Sequence, residues 1–175
     1  MDNYNPYKLT ALTRKTLSAP VKTLISKNYL SKGETILDFG CGNAFDVIEL
    51  QKQGYNIVGY DKFNLIYNIP QLLNNKYDYI ICNFVFNVIP DLKEHRQVLE
   101  TLKLLSDNVY IAVRSDIKAI KNSWEFIEQY QCYKTPKGSY QRFYNETMID
   151  ILFGKVEYIH NGNDYKLFKN NIINT

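Results

Sequence analysis

The chain has little of what would announce a metal centre, a secreted scaffold or a membrane protein. Its two histidines, His95 and His160, lie far apart, and no Asp, Glu or His cluster shows ligand spacing, so no metal is expected. The three cysteines, Cys41, Cys82 and Cys132, are odd in number, widely spaced and without a C-x-x-C pattern. That argues against a disulfide framework and a zinc module, and suits a reducing cytosol. No apolar run approaches the roughly 20 residues of a membrane span. Residues Met1 to Pro6 lack the apolar core of a signal peptide. A cytoplasmic protein without membrane contact is the expectation. Charge of one sign is scarce as well: with a net charge of +3, nucleic-acid affinity would need a local basic patch.

What is present fits one globular domain. The 175 residues are 45% hydrophobic and 22% charged, and a chain of this length buries about two-thirds of its unfolded surface. We expect a single domain over 1–175, with a helical cap over 1–30 and a core over 31–175. In the cap, Leu9, Leu12, Val21, Leu24, Ile25 and Tyr29 share one apolar side, and Pro20 marks a restart. Short β-rich runs follow at Glu34 to Asp38, Tyr55 to Tyr60, Tyr77 to Phe84 and Val109 to Val113. Helical periods lie between them at Ala44 to Lys52 and Asp91 to Leu105, and a further helix is expected from Ile117 to about Tyr130. His95 falls on the apolar side of its helix and is expected half-buried. Lys155 to His160 and Asp164 to Lys169 flank Asn161-Gly-Asn163, a hairpin signal. Strands alternating with helices predict an α/β, Rossmann-like, mostly parallel sheet closed by an antiparallel hairpin.

The central motif is Asp38-Phe-Gly-Cys-Gly42-Asn-Ala44, between a strand and a helix. Gly40 permits a tight turn, Gly42 lets a ligand lie close to the backbone, and the helix start offers N–H groups. Nineteen residues beyond Gly42, Asp61 follows the second strand, where a carboxylate can accept hydrogen bonds from ribose hydroxyls. A dinucleotide fingerprint would need a small third residue at Phe45, and phenylalanine obstructs that packing.

Asp38 before the glycines gives D-x-G-x-G-x-A, which resembles class I S-adenosylmethionine-dependent methyltransferases. The resemblance implies S-adenosyl-L-methionine as cofactor. It assigns its methionine part to Asp38, Gly40, Cys41 and Gly42, its ribose to Asp61 beside Lys62, and the reactive centre to Asn83 and Phe84. Arg14 to Pro20, Ile36 to Gly42 with Asp46-Val47, Val58 to Asp61, Asn83 to Pro90 and Thr135 to Tyr144 together resemble one family. That family is the methyltransferases associated with DNA phosphorothioation clusters, and it leaves the acceptor open. Only 15 residues separate Asp61 from Tyr77, too few for the helix and strand usual there, so one sheet edge should be pared to a loop or short helix. Phe63, Leu65, Ile66 and Tyr67 are the apolar candidates to cover the adenine.

Residues at the carboxyl ends of strands are the candidates for chemistry. Asn83-Phe-Val-Phe86 keeps the Asn and an aromatic of the base-amine methyltransferase motif but lacks its prolines; a plain strand end is the other reading of Asn83. Arg114 can bind a carboxylate or phosphate through its planar fork, or pair with a neighbouring acid. Around Tyr140 and Arg142, basic and aromatic residues alternate, which suits phosphate contact with base stacking, a small aromatic acceptor, or a strand with one solvated face. Asn83, Arg114, Tyr140 and Arg142 are therefore the catalytic candidates, with a small molecule, RNA or DNA as acceptor. Cys41 reads as a packing residue rather than a nucleophile. A catalytically silent cofactor-binding subunit, working with a protein partner or as a homodimer, is the second reading. An enzyme cutting another bond of the cofactor is the third.

Overall fold

A proline in the first turn opens the first helix, α1 (Ala19–Ser26), where a missing N–H costs no intrahelical bond. The computed structural model describes residue 10 and residues 13–170. Among the described residues of the cap, helix is confined to α1; residues 13–18 are irregular, and Leu9 and Leu12 lie outside the described residues. β1 (Thr35–Phe39) follows, with four consecutive side chains buried, as a strand covered on both faces requires. Next come α2 (Phe45–Lys52), β2 (Asn56–Tyr60), β3 (Tyr79–Asn83), the one-turn α3 (Val85–Val88), α4 (Leu92–Leu105) and β4 (Val109–Arg114). Three short strands, β5 (Glu125–Ile127), β6 (Cys132–Lys134) and β7 (Tyr140–Gln141), then form a small antiparallel sheet. The chain closes with α5 (Glu146–Phe153) and the hairpin β8 (Val156–Asn161) and β9 (Tyr165–Asn170).

The main sheet has the order β2-β1-β3-β4-β9-β8. β1 to β4 run parallel, and β9 is antiparallel to both its neighbours. The α/β class, the mostly parallel sheet and the closing hairpin all agree with the sequence. So does the pared edge: between β2 and β3 there is a turn and one 3-10 helix, Pro70–Asn74, leaving β2 outermost.

Alternation along each strand divides the core in two. Leu37, Ile80 and Ile111 face α4 and α5, meeting Leu99, Leu102, Ile149 and Phe153. Their neighbours Ile36, Ile81 and Tyr110 face α1 and α2, meeting Val21, Leu24, Val47 and Leu50. The order in which the chain adds strands reverses between β1 and β3, so their carboxyl ends frame the switch point where open α/β sheets bind ligands.

Two expectations fail. The helix expected from Ile117 to Tyr130 is absent. Asp116 caps a single 3-10 turn by accepting from the Lys118 N–H, and a second turn at Lys121 leads into β5, whose backbone pairs with β6. His95 is fully buried rather than half-buried, packed on Phe86 at a 4.3 Å ring separation. α5 went unanticipated although its signals stand in the sequence: Asn145 accepts from the Met148 N–H at its start, and Gly154 ends it at φ +75°.

Candidate active site

The glycine loop turns through three left-handed residues, Gly40 (φ +76°), Gly42 (φ +57°) and Ala44 (φ +55°). Gly40 also lies against Val85, whose Cγ2 a Cβ at position 40 would overlap. The loop is tied to the end of β2. The N–H groups of Gly40 and Cys41 both donate to the Tyr60 carbonyl, at 2.7 and 3.1 Å. The Gly42 N–H donates to Asp61 Oδ2 at 2.9 Å, and Asn64 returns a bond to the Gly42 carbonyl at 2.7 Å. These first N–H groups are thus spent within the protein, while Gly40 to Asn43 all line the cleft.

Asp61 is held just as firmly. Its Oδ1 accepts from the N–H groups of Phe63 (2.8 Å) and Asn64 (3.1 Å). Three of roughly four acceptor positions are therefore filled, leaving room for about one further donor. Beside it, the exposed Lys62 ammonium lies 3.7 Å from Glu94 and 5.4 Å from the Phe63 ring centre. Leu65 and Ile66 project from the rim with 89% and 76% of their surface exposed, an apolar shelf above the cleft. Tyr67 instead packs into the core beneath.

Asp38 is buried below the loop. Burial, then the charges of Asp46 and Asp61, push its carboxyl up to about 8, against a smaller opposing pull from Arg14. An acid that prefers its proton in the free protein releases it to solvent when a cation is placed beside it. The Cys41 thiol is pushed up by burial and then by the charges of Asp38 and Asp61, so it stays protonated and unreactive.

From this loop the cleft runs for about 1700 Å³ past the ends of β3 and β4. A single drug-sized ligand needs roughly 300–1,000 Å³, so two molecules can lie end to end. Asn83 ends β3, and its amide nitrogen and oxygen are both buried without a hydrogen-bond partner in the protein. Phe84 follows in the left-handed conformation, φ +63°, with its N–H donating to the Ala112 carbonyl. Its ring meets that of Tyr165 edge-on at 6.3 Å.

Arg114, Tyr140 and Arg142 occupy three different settings. Arg114 lines the cleft. Tyr140 packs edge-on to Tyr130, at 5.9 Å, outside the cleft lining. Arg142 is 1% exposed, and its guanidinium donates to the carbonyls of Ile89, Pro90 and Tyr130 at 3.3, 2.9 and 2.7 Å. The alternating basic and aromatic segment is consequently no open platform: Arg142, Phe143 and Tyr144 turn inward and fasten the small sheet to the main one.

Asn87, which stands after the third strand where residues for chemistry are expected, is instead the hub of that fastening. Its side chain donates to the Arg142 carbonyl and accepts from the Arg114 N–H, while its own carbonyl accepts from the Arg142 N–H. The Tyr144 hydroxyl donates to the Phe86 carbonyl, so the hydrogen between it and His95 Nε2, 3.1 Å apart, belongs to the imidazole. Burial, and then the Arg142 charge, hold His95 down to about 3, a neutral strut outside the reaction.

A family model described as a methyltransferase domain matches residues 9–150. Among solved structures, an S-adenosylmethionine-dependent methyltransferase from Methanosarcina mazei superposes with a TM-score of 0.63 at 15% identity, covering 83% of this chain and 94% of its own. The 1,6-didemethyltoxoflavin-N1-methyltransferase of Burkholderia thailandensis, solved with 1,6-didemethyltoxoflavin and S-adenosylhomocysteine, gives 0.57 at 12% identity, covering 88% and 79%. The magnesium protoporphyrin IX methyltransferase of Synechocystis, solved with S-adenosylhomocysteine, gives 0.54 at 17% identity, covering 94% and 82%. No curated protein matches in sequence. With a family match over most of its length and the class I fold around a braced glycine loop, the chain belongs to the methyltransferase-domain family and is a methyltransferase that uses S-adenosyl-L-methionine.

Proposed function

We propose that this methyltransferase modifies a small molecule that enters the cleft at the β4 end. The observation that carries this reading is the unpartnered, buried amide of Asn83, midway between the glycine loop and that end. A buried amide lacking partners costs about 1–3 kcal/mol per polar atom, which a bound ligand relieves. The lining fits the cofactor: Asp38 meets its cationic methionine part, Asp61 takes a ribose hydroxyl, and Leu65 and Ile66 cover the adenine. When bound, S-adenosyl-L-methionine supplies an electrophilic methyl group on a sulfonium centre.

The protein's own part is alignment. Asn83 and Phe84 are fixed by the strand end and by the bond to Ala112, so they would hold an acceptor atom in place for an in-line transfer. No general base is assigned, because an acceptor that attacks through a neutral lone pair sheds its proton to solvent after the transfer.

The finer resemblance to phosphorothioation-linked methyltransferases rests on Asn83 to Pro90 and Thr135 to Tyr144. These two segments are bonded to each other through Asn87 and Arg142, which supports a common architecture more than a common substrate. Duplex DNA is disfavoured as acceptor because Arg142 is sealed inside and offers phosphates nothing. A silent cofactor-binding subunit is the weaker reading, since it would need no second chamber beyond Asn83.

Mass analysis of spent cofactor tests the proposal. Incubation with S-adenosyl-L-methionine and a small-metabolite pool should yield S-adenosylhomocysteine and one product heavier by a methyl group. Methylthioadenosine instead, or turnover only with nucleic acid, would overturn it.

A further inference from the structure

Arg114 is a cation set in place without an anion. Its backbone is clamped on both sides: the N–H donates to Asn87 Oδ1 at 3.1 Å, and the carbonyl accepts from the Tyr144 N–H at 2.8 Å. The guanidinium carbon sits 5.2 Å from the centre of the Phe143 ring, and Nη1 reaches Gln141 Oε1 at 3.4 Å. Among the described residues no carboxylate lies within ion-pair distance of it. Asp164, also on the cleft rim, keeps its Oδ1 on the Tyr165 N–H and near His160. Arg142 shows what the same residue type does when it serves the fold: it is buried and spent on carbonyls. Arg114 is only half-buried and opens into the cleft.

Flat walls stand around it. Trp124 lines the cleft and stacks on Phe143 at 6.3 Å with the rings 28° apart; Phe84 and Tyr165 line the same end. Charge along the cleft is therefore divided. The acids Asp38, Asp46 and Asp61 gather at the cofactor end, while the other end carries the fixed Arg114 guanidinium with Asp164 on its rim.

We infer that the methyl acceptor is a small planar aromatic molecule bearing a carboxylate, which Arg114 binds through its fork. The inference rests on the methyltransferase reading and names its substrate class. One guanidinium matches a monoanion, and Gln141 has an amide NH2 beside it for a second bond to the same group. Trp124 and Phe84 bound the ring of the acceptor, and the carboxylate fixes which edge faces Asn83.

The test uses the whole protein saturated with S-adenosylhomocysteine. It is titrated with benzoate, 4-hydroxybenzoate and anthranilate, and with the corresponding primary amides. Binding is read by calorimetry and by the fluorescence of Trp124, the single tryptophan of the chain. At least one carboxylate should bind and its amide at least about tenfold more weakly, since charge-assisted bonds are roughly twice as strong as neutral ones. Arg114→Gln should weaken the carboxylate about tenfold or more, and Arg114→Lys less, with thermal melting of both variants checking that they fold. Equal binding of acid and amide, an undiminished carboxylate affinity in a folded Arg114→Gln protein, or no carboxylate bound by the loaded protein overturns the inference. Failure of S-adenosylhomocysteine itself to bind strikes the cofactor reading first, which separates the two failures.

Discussion

The two ends of the cleft are built by different means. Most of what shapes the cofactor end lies in one continuous stretch from β1 to Ile66, and its decisive bonds, such as Gly42 to Asp61, close a single β-α-β turn. The acceptor end is assembled from Asn83 to Pro90, Arg114, Trp124 and Thr135 to Tyr144, segments joined by bonds that span up to 58 residues. One end is a local motif; the other exists only once the whole chain has folded. A motif of that first kind can keep its chemistry while the second kind varies and sets the substrate.

The largest effect expected from breaking this division is at Arg142. Arg142→Met strips three buried carbonyls of their donor and should cost about 3–5 kcal/mol of stability by chemical denaturation. Such a variant that melts like the parent would show that the acceptor wall is not held as described. Next, Gly40→Ala imposes a left-handed conformation and an overlap with Val85, for a loss of about 2 kcal/mol together with weakened cofactor binding. Here the loss should be felt at the cofactor end first.

A smaller, diagnostic effect is the pH dependence of cofactor affinity. Asp38 holds its proton up to about 8 in the free protein, above the usual carboxylate range of the unfolded chain. Its raised value thus favours folding at low pH, and that contribution declines as the pH rises from about 4 to 8. A cationic ligand selects the carboxylate, so S-adenosyl-L-methionine affinity should climb between pH 6 and 8, by at most about tenfold per unit, and then level. Asp38→Asn should flatten the profile; an unchanged slope would remove Asp38 from the site. The smallest change is expected at the rim, where Leu65→Ser with Ile66→Ser should alter stability by under about 0.5 kcal/mol yet weaken cofactor binding severalfold.

How much of this was legible in sequence follows the same division. The glycine loop, Asp61 and the pared edge are set by residue type at short spacing, and periodicity exposed the sheet. The segment from Ile117 to Tyr144 misled because its pattern serves a hairpin and an inward anchor. A buried arginine facing carbonyls reads, in one dimension, like a basic residue among aromatics. The place of Asn87 after the third strand is legible, but its role as a hub is not, since its partners at Arg114 and Arg142 are distant in sequence. Only the cap of α5, Asn145 with Gly154, was readable and passed over.

The central claim is that the braced loop and Asp61 form the cofactor site, and isothermal titration with S-adenosylhomocysteine tests it most directly. The parent should bind in the micromolar range, and Asp61→Ala should bind at least about tenfold more weakly, losing both the ribose acceptor and the brace on Gly42. No binding at millimolar ligand, or equal binding by parent and Asp61→Ala, would contradict the account.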